Sequence, residues 1–179
     1  HKLRNVFQPE QRTNAWYLFR YNLLTASNIW KALDSESNRN SLIYEKCKPL
    51  NLEKYSHINI ESTLHWGQKY EPLSVVLYEY MFQTKIQDFG CIKHEIYTFL
   101  GASPDGINVD ESSKRFGRML EVKNIVNREI TGVPKPEYWI QMQMQMNVCE
   151  LNECDFLETR FIEYDDENAY LDDGSFSSS

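Results

Sequence analysis

Asp105, Glu121 and Lys123 are the residues of this 179-residue chain whose types and spacing could do chemistry together. Glu121 and Lys123 stand two apart in the run Leu-Glu-Val-Lys-Asn, and on a β-strand such residues leave the same face. Asp105 sits in Ser-Pro-Asp-Gly, turn chemistry that leads into the alternating apolar residues Ile107 and Val109. A polar interval from Asp110 to Gly117 separates the two runs and predicts a hairpin. Pairing would bring Asp105 to the same end of the sheet as Glu121, so two carboxylates and one ammonium would converge. Carboxylate oxygens are hard ligands for Mg²⁺ or Mn²⁺, which keep several waters and accept phosphate oxygens. A lysine beside them can orient or help deprotonate an attacking water, and the metal neutralises charge that builds on a phosphate. The chemistry implied is phosphodiester hydrolysis. The bland alternative is an Asp in a turn and a surface Glu/Lys pair.

Ser103-Pro104-Asp105 with Glu121-Val122-Lys123 resembles the PD-(D/E)xK nuclease signature in spacing and in its hairpin. Three further strings follow along the chain. The first is Arg20-Tyr-Asn-Leu-Leu-Thr25-Ala26-Ser27, where Thr25 is a predicted N-cap and a hydroxyl and an arginine lie at a helix N-terminus, a ready anion site. Alone it would be a capped helix with a surface arginine. The second is Trp66-Gly-Gln-Lys-Tyr-Glu71, and the third pairs Tyr138 with Gln141. Together they resemble phage lambda exonuclease and the related YqaJ-type viral recombinases, over residues 16–145 and in family order.

The elements that must position these residues are less evenly legible. Residues 11–34 read as two helical pieces, with Trp16, Phe19 and Leu23 along one face and Ile29, Trp30 and Leu33 buried on the other. Residues 35–60 read as a long polar connection with one helical turn near Leu42 to Glu45. A helix is predicted from Glu61 to Phe82, with Trp66, Tyr70, Leu73, Leu77 and Met81 on one face and Pro72 kinking or splitting it. Lys85–Phe89 and Ile92–Leu100 read as strands joined at Phe89-Gly90, lying beside the hairpin to complete a mixed sheet. His57, His65 and His94 are expected to be structural. Met and Gln alternate over 140–146, a strand period, but both are good helix formers, and Pro134 and Pro136 suit a helix start. The family places a helix there with Tyr138 and Gln141 on one face, and a helix is expected. A last strand follows over 153–163, with Phe156, Leu157, Phe161 and Ile162 in the core.

At this length one domain is expected, over residues 1–164, followed by an acidic, Ser-rich tail over 165–179. The net charge of −7 is awkward for a nucleic-acid enzyme, but six carboxylates fall within residues 163–179, which hold no Lys or Arg. No apolar run reaches the length needed to span a membrane, and no uninterrupted apolar segment marks a signal peptide. Cys47, Cys91, Cys149 and Cys154 fit no zinc pattern and are expected as reduced thiols; the tight C-terminal trio of cysteines that holds an iron–sulfur cluster in some broader relatives is absent.

What the resemblance implies is an α/β fold with a restriction-endonuclease-like core, a mixed central β-sheet flanked by α-helices. It further implies a 5′→3′ exonuclease on linear double-stranded DNA. Asp105, Glu121 and the Val122 carbonyl would hold one Mg²⁺ or Mn²⁺, with Glu71 assisting or holding a second. Lys123 would position the water, Gln141 would support it, and Arg20, Ser27, Thr25, Ser103 and Tyr138 would hold DNA and its 5′-phosphate. The family's basic residue after the second helix lacks a clean counterpart, with Lys31 or Arg39 as substitutes. The expected setting is intracellular, in host cytoplasm or nucleus for a virus. A single-strand annealing protein is an implied partner, and a ring-shaped homotrimer an implied assembly. An endonuclease on the same core, an enzyme that also degrades RNA, and a non-catalytic DNA-binding domain are the alternatives, the acidic balance favouring the last.

Overall fold

A computed structural model describes residues 2–55 and 63–173. Its elements in chain order are α1 (Asn14–Tyr21), β1 (Leu24–Thr25), α2 (Ala26–Leu33), α3 (Glu36–Cys47), α4 (Thr63–Phe82), β2 (Ile86–Gln87), β3 (Ile92–Lys93) and β4 (Leu100–Ala102). There follow β5 (Gly106–Asn108), β6 (Met119–Asn124), α5 (Pro136–Cys149), β7 (Cys154–Thr159) and α6 (Glu167–Asp173). The strands form a four-stranded sheet ordered β2-β5-β6-β7 and a three-stranded sheet ordered β1-β4-β3.

The larger sheet carries the expected hairpin. β5 and β6 are antiparallel with Gly106 opposite Leu120, β2 is antiparallel to β5, and β7 runs parallel to β6 over its full length. Gly106 is required by packing, since a Cβ there would lie 2.2 Å from the Ile86 side chain on β2. β6 separates two cores by its alternation. Leu120 and Val122 pack with Tyr78 of α4, whereas Met119 joins the cluster of Ala26, Ile29, Ile107 and Val148 between α2, α5 and the sheets. Glu121 projects to the same side as Met119, toward α5. Both faces of β6 are therefore covered by helices.

Several sequence expectations are corrected. Residues 36–47 form a full helix, capped by Ser35, whose hydroxyl accepts from Asn38 N at 3.2 Å. Only Leu42 of that helix is buried, so no periodic apolar signal announces it. The strand expected over 92–100 is broken: the His94 imidazole accepts from Ile96 N and Tyr97 N and turns the chain before β4. That makes His94 a structural residue. α4 runs unbroken through Pro72, and it buries Tyr70, Ser74 and Tyr78 while Leu73, Leu77 and Met81 are exposed. Packing of the helix against β6 and β7 on both sides of Pro72 offsets the one missing N–H. Leu33, 69% exposed, and Ile162 lie outside the core. Thr25 has cap backbone geometry but no side-chain cap bond. The expected tail holds the exposed α6, and its residues 174–179, like His57 and the start of the predicted helix at Glu61, lie outside the described residues. The helix over 136–149 is as expected, with Pro136 in its first turn.

Candidate active site

Glu121 is completely buried, 0% exposed, in mid-strand on β6. A carboxylate taken out of water must be compensated by donors. Lys123 Nζ and Gln141 Nε2 (2.7 Å) both donate to its Oε1, and Gln145 Nε2 donates to Oε2 at 2.8 Å. Lys123 reaches it because residues two apart share a strand face, and the glutamines because four residues make about one helical turn. Asp105, half-buried just before β5, accepts from Val122 N through Oδ2 at 2.7 Å. The hairpin register thus brings the three residues together as their spacing implied.

The electrostatics follow from this crowding. Burial pushes the Asp105 carboxyl well above the usual carboxylate range, and the Glu121 and Glu71 charges push it further, against Lys123 and the Val122 amide. Burial also raises Glu71, opposed by Arg12 and reinforced by Asp88 and Glu121. For Lys123 burial acts downward, but Glu121 and Asp105 outweigh it and the ammonium form is favoured. The Lys123 ammonium also sits 4.9 Å from the centre of the Tyr138 ring. Tyr138 therefore touches Lys123.

A cavity of about 290 Å³ opens over this centre, lined by Asp105, Glu71 and Gln141 on one side and Arg20, Ser27 and Ser103 on the other. Arg20 is clasped there: Nη1 donates to Ser103 Oγ at 3.0 Å and Nη2 to Ser27 Oγ at 3.1 Å, with the guanidinium 4.3 Å from the Trp16 ring centre. Thr25 is buried behind Ser27, the two hydroxyl oxygens 3.3 Å apart. Lys31 and Arg39 do not substitute for the missing basic residue: Lys31 donates to Glu45 and Arg39 to the Ala32 carbonyl, and neither lines the cavity. A further cation, Lys46, donates its ammonium hydrogens to the carbonyls of Arg20 and Tyr21.

The donor set fits a hard divalent ion. A carboxylate offers about four lone-pair sites. Three donors occupy Glu121 and one occupies Asp105, so both keep capacity for a cation. Among the described residues no three His, Cys, Asp or Glu side chains form a ready-made metal cluster. Carbonyl oxygen and water are the further ligands a hard divalent ion accepts beside such carboxylates.

Two residues of the site escaped sequence reading. Arg12, at φ 65° in the left-handed region, donates to Glu71 at 2.9 Å, a pairing across 59 positions without local signal. Gln145 was discoverable, since it lies one helical turn beyond Gln141 on the same face. It is 1% exposed, and its Oε1 has no hydrogen-bond partner among the described residues.

The YqaJ-like viral recombinase domain matches residues 15–152, from α1 to just past α5. The chain belongs to this family. Among curated proteins it resembles the uncharacterized protein R354 of Acanthamoeba polyphaga mimivirus, at 29% identity over 190 residues covering 97% of this chain and 33% of that protein. The chain therefore spans about a third of the length of that relative. Among solved structures it resembles an alkaline exonuclease from Laribacter hongkongensis, with TM-score 0.67 and 25% identity over 86% of this chain and 77% of that one. The same exonuclease in complex with dAMP matches with TM-score 0.63 and 26% identity, covering 82% and 73%. The YqaJ match and these neighbours establish the restriction-endonuclease-like fold, mixed sheets flanked by helices. No helix among the described residues is long and apolar enough to cross a membrane.

Proposed function

We propose that this YqaJ-family domain is a divalent-metal-dependent exodeoxyribonuclease that degrades linear double-stranded DNA from 5′-phosphorylated ends. The observation that carries the reading is one cavity lined both by Asp105 and Gln141, which lead to the buried Glu121 and its Lys123 partner, and by an arginine clasped between two serines. Asp105, Glu121 and the Val122 carbonyl would hold Mg²⁺ or Mn²⁺, and Glu71 would assist that ion or a second one. When bound, the ion neutralises charge on the scissile phosphate and aligns the water for in-line attack.

The remaining roles belong to the side chains. Lys123, kept protonated by Glu121 and Asp105, orients the attacking water by donation and stabilises negative charge on the phosphate. Gln141 and Gln145 keep Glu121 in one rotamer, and Tyr138 limits where the Lys123 ammonium can stand. Arg20, Ser27 and Ser103, with Thr25 behind, take the terminal phosphate. A monoester carries more charge than an internal diester and gains more from the planar guanidinium, which favours ends over interiors. The viral relative supports a viral setting. Partnership with an annealing protein and a trimeric ring rest on the resemblance, and native mass spectrometry with and without DNA tests the ring.

The test compares phosphorylated linear, dephosphorylated linear and covalently closed circular duplex in Mg²⁺. The phosphorylated linear form should be degraded fastest and the circle should survive. Arg20→Ala should erase the difference between the two linear forms. Rapid cutting of the circle, or indifference to the terminal phosphate, would replace this reading with an endonuclease.

A further inference from the structure

A second and larger cavity, about 580 Å³, lies against the same arginine. It opens between α1, α3 and the segment after α3, and it shares Trp16, Tyr17 and Arg20 with the catalytic cavity. Three cations line it, Arg20, Lys46 and Lys48, against one carboxylate, Glu45. Glu45 is already engaged, accepting from Lys31 and Asn28. In a chain of net charge −7 this is a local excess of positive charge.

The Lys46 ammonium is half-buried and donates to two main-chain carbonyls, at 3.2 and 3.3 Å. Burial pulls its pKa down, with Arg20 adding to the effect and Glu45 opposing it. A desolvated cation of this kind gains from an incoming anion. Aromatic surface lies beside the charges: Tyr44 is 66% exposed, and the Lys48 ammonium stands 5.6 Å from its ring centre. Aromatic faces interleaved with lysines, in a groove wide enough for a base, are what unpaired nucleic acid stacks on. Inside a duplex both faces of each base are stacked on neighbouring pairs. An unpaired strand leaves a base face free.

We propose that this cavity is a subsite for an unpaired nucleotide at a DNA end, its base stacked on Tyr44 and its phosphate drawn by Lys46 and Lys48. The proposal rests on the nuclease reading only in taking DNA as the polymer. Its consequence is that ends bearing a single-stranded 5′ extension are gripped more tightly than blunt ends, because Arg20 places the extension within reach of the aromatic cavity.

The test is equilibrium binding by fluorescence anisotropy in EDTA, where hydrolysis is stopped. Two 5′-phosphorylated duplexes are compared, one blunt and one carrying a short single-stranded 5′ extension, for wild type, Tyr44→Ala and Lys48→Ala. Wild type should favour the extended end about tenfold, the scale of one stacked base. Tyr44→Ala should bring that ratio close to one. Lys48→Ala should reduce it and lower the slope of log affinity against log salt by about 0.7 on the extended end, as expected for one phosphate contact on a single strand. Equal affinity of wild type for both ends, or variants that weaken both ends alike, would overturn the subsite. Wild-type degradation of the blunt duplex in Mg²⁺, measured in parallel, separates the two ideas. Blunt DNA degraded without any extension preference sinks the subsite alone. An extension preference without degradation of any DNA sinks the nuclease alone.

Discussion

Replacing Gln145 by Met tests how the buried carboxylate is held. Met matches glutamine in length and carries no polar group, so the change removes two features at nearly constant volume. The first is the N–H donated to Glu121 Oε2 at 2.8 Å, a bond to a charged group worth about 1.5–3 kcal/mol. The second is the partnerless Oε1, a buried acceptor whose desolvation costs about 1–3 kcal/mol. The two effects oppose each other, so the metal-free fold should change in stability by no more than about 2 kcal/mol. Metal affinity has no such offset. Groups that orient a ligating carboxylate typically contribute 10–100-fold, so Mn²⁺ should bind about tenfold more weakly or worse. Gln141→Met, which removes a donor to Oε1 but no orphan acceptor, is the control. The assays are urea unfolding without metal and calorimetric titration with Mn²⁺. A loss of more than about 3 kcal/mol with unchanged Mn²⁺ affinity would show Gln145 to be ordinary core and refute the reasoning.

Three more expectations follow from the site. Asp105→Asn and Lys123→Met should each reduce DNA hydrolysis by orders of magnitude, because groups acting as a unit fail together; Asp105→Asn should leave the melting temperature near wild type, whereas Lys123→Met should lower it by stranding the buried Glu121 charge, and near-wild-type turnover by either would refute the assignment. Burial and like charges raise Asp105 and Glu71, so the native metal-free protein keeps protons that the unfolded chain releases near pH 4. Their contribution to stability is then fullest below about pH 4 and is lost as pH rises through their raised values, since the folded state must ionise at a penalty. A divalent ion binds the ionised form, so the rise in melting temperature caused by Mn²⁺ should grow from about pH 5 to about pH 8, and a flat response would contradict the crowding. Burial pushes the Cys149 and Cys154 thiols up to about 12, whereas Cys47 is exposed. Iodoacetamide at about pH 8 should therefore label Cys47 far ahead of the other two under native conditions, as peptide mass mapping would show.

Local patterns by themselves determined the convergence of the candidate site. Two positions on one strand face and a turn residue before the partner strand suffice to converge Asp105, Glu121 and Lys123, because strand periodicity and hairpin pairing are short-range rules. The start of α5 was legible for a similar reason, proline being suited to a helix's first turn. The clasp of Arg20 was only half legible: Ser27 is seven residues away, whereas Ser103 arrives from 83 positions off through the pairing of β1 with β4. Tertiary packing decided the rest. α3 lacks a period because a single leucine anchors it, and the strand expected over 92–100 breaks into the antiparallel pair β3 and β4 because an imidazole takes over two backbone N–H groups. The exposed apolar face of α4 reversed an expectation drawn from hydrophobicity, because its Tyr70, Ser74 and Tyr78 meet the sheet while Leu73 and Leu77 do not. Arg12 reaches Glu71 without any local pattern, and Gln145 acquires its role from Glu121 having no water at all. Spacing along a chain specifies which side chains share a face; only the packed structure specifies which of those faces is dry, and burial is what turns an ordinary carboxylate pair into a reactive one.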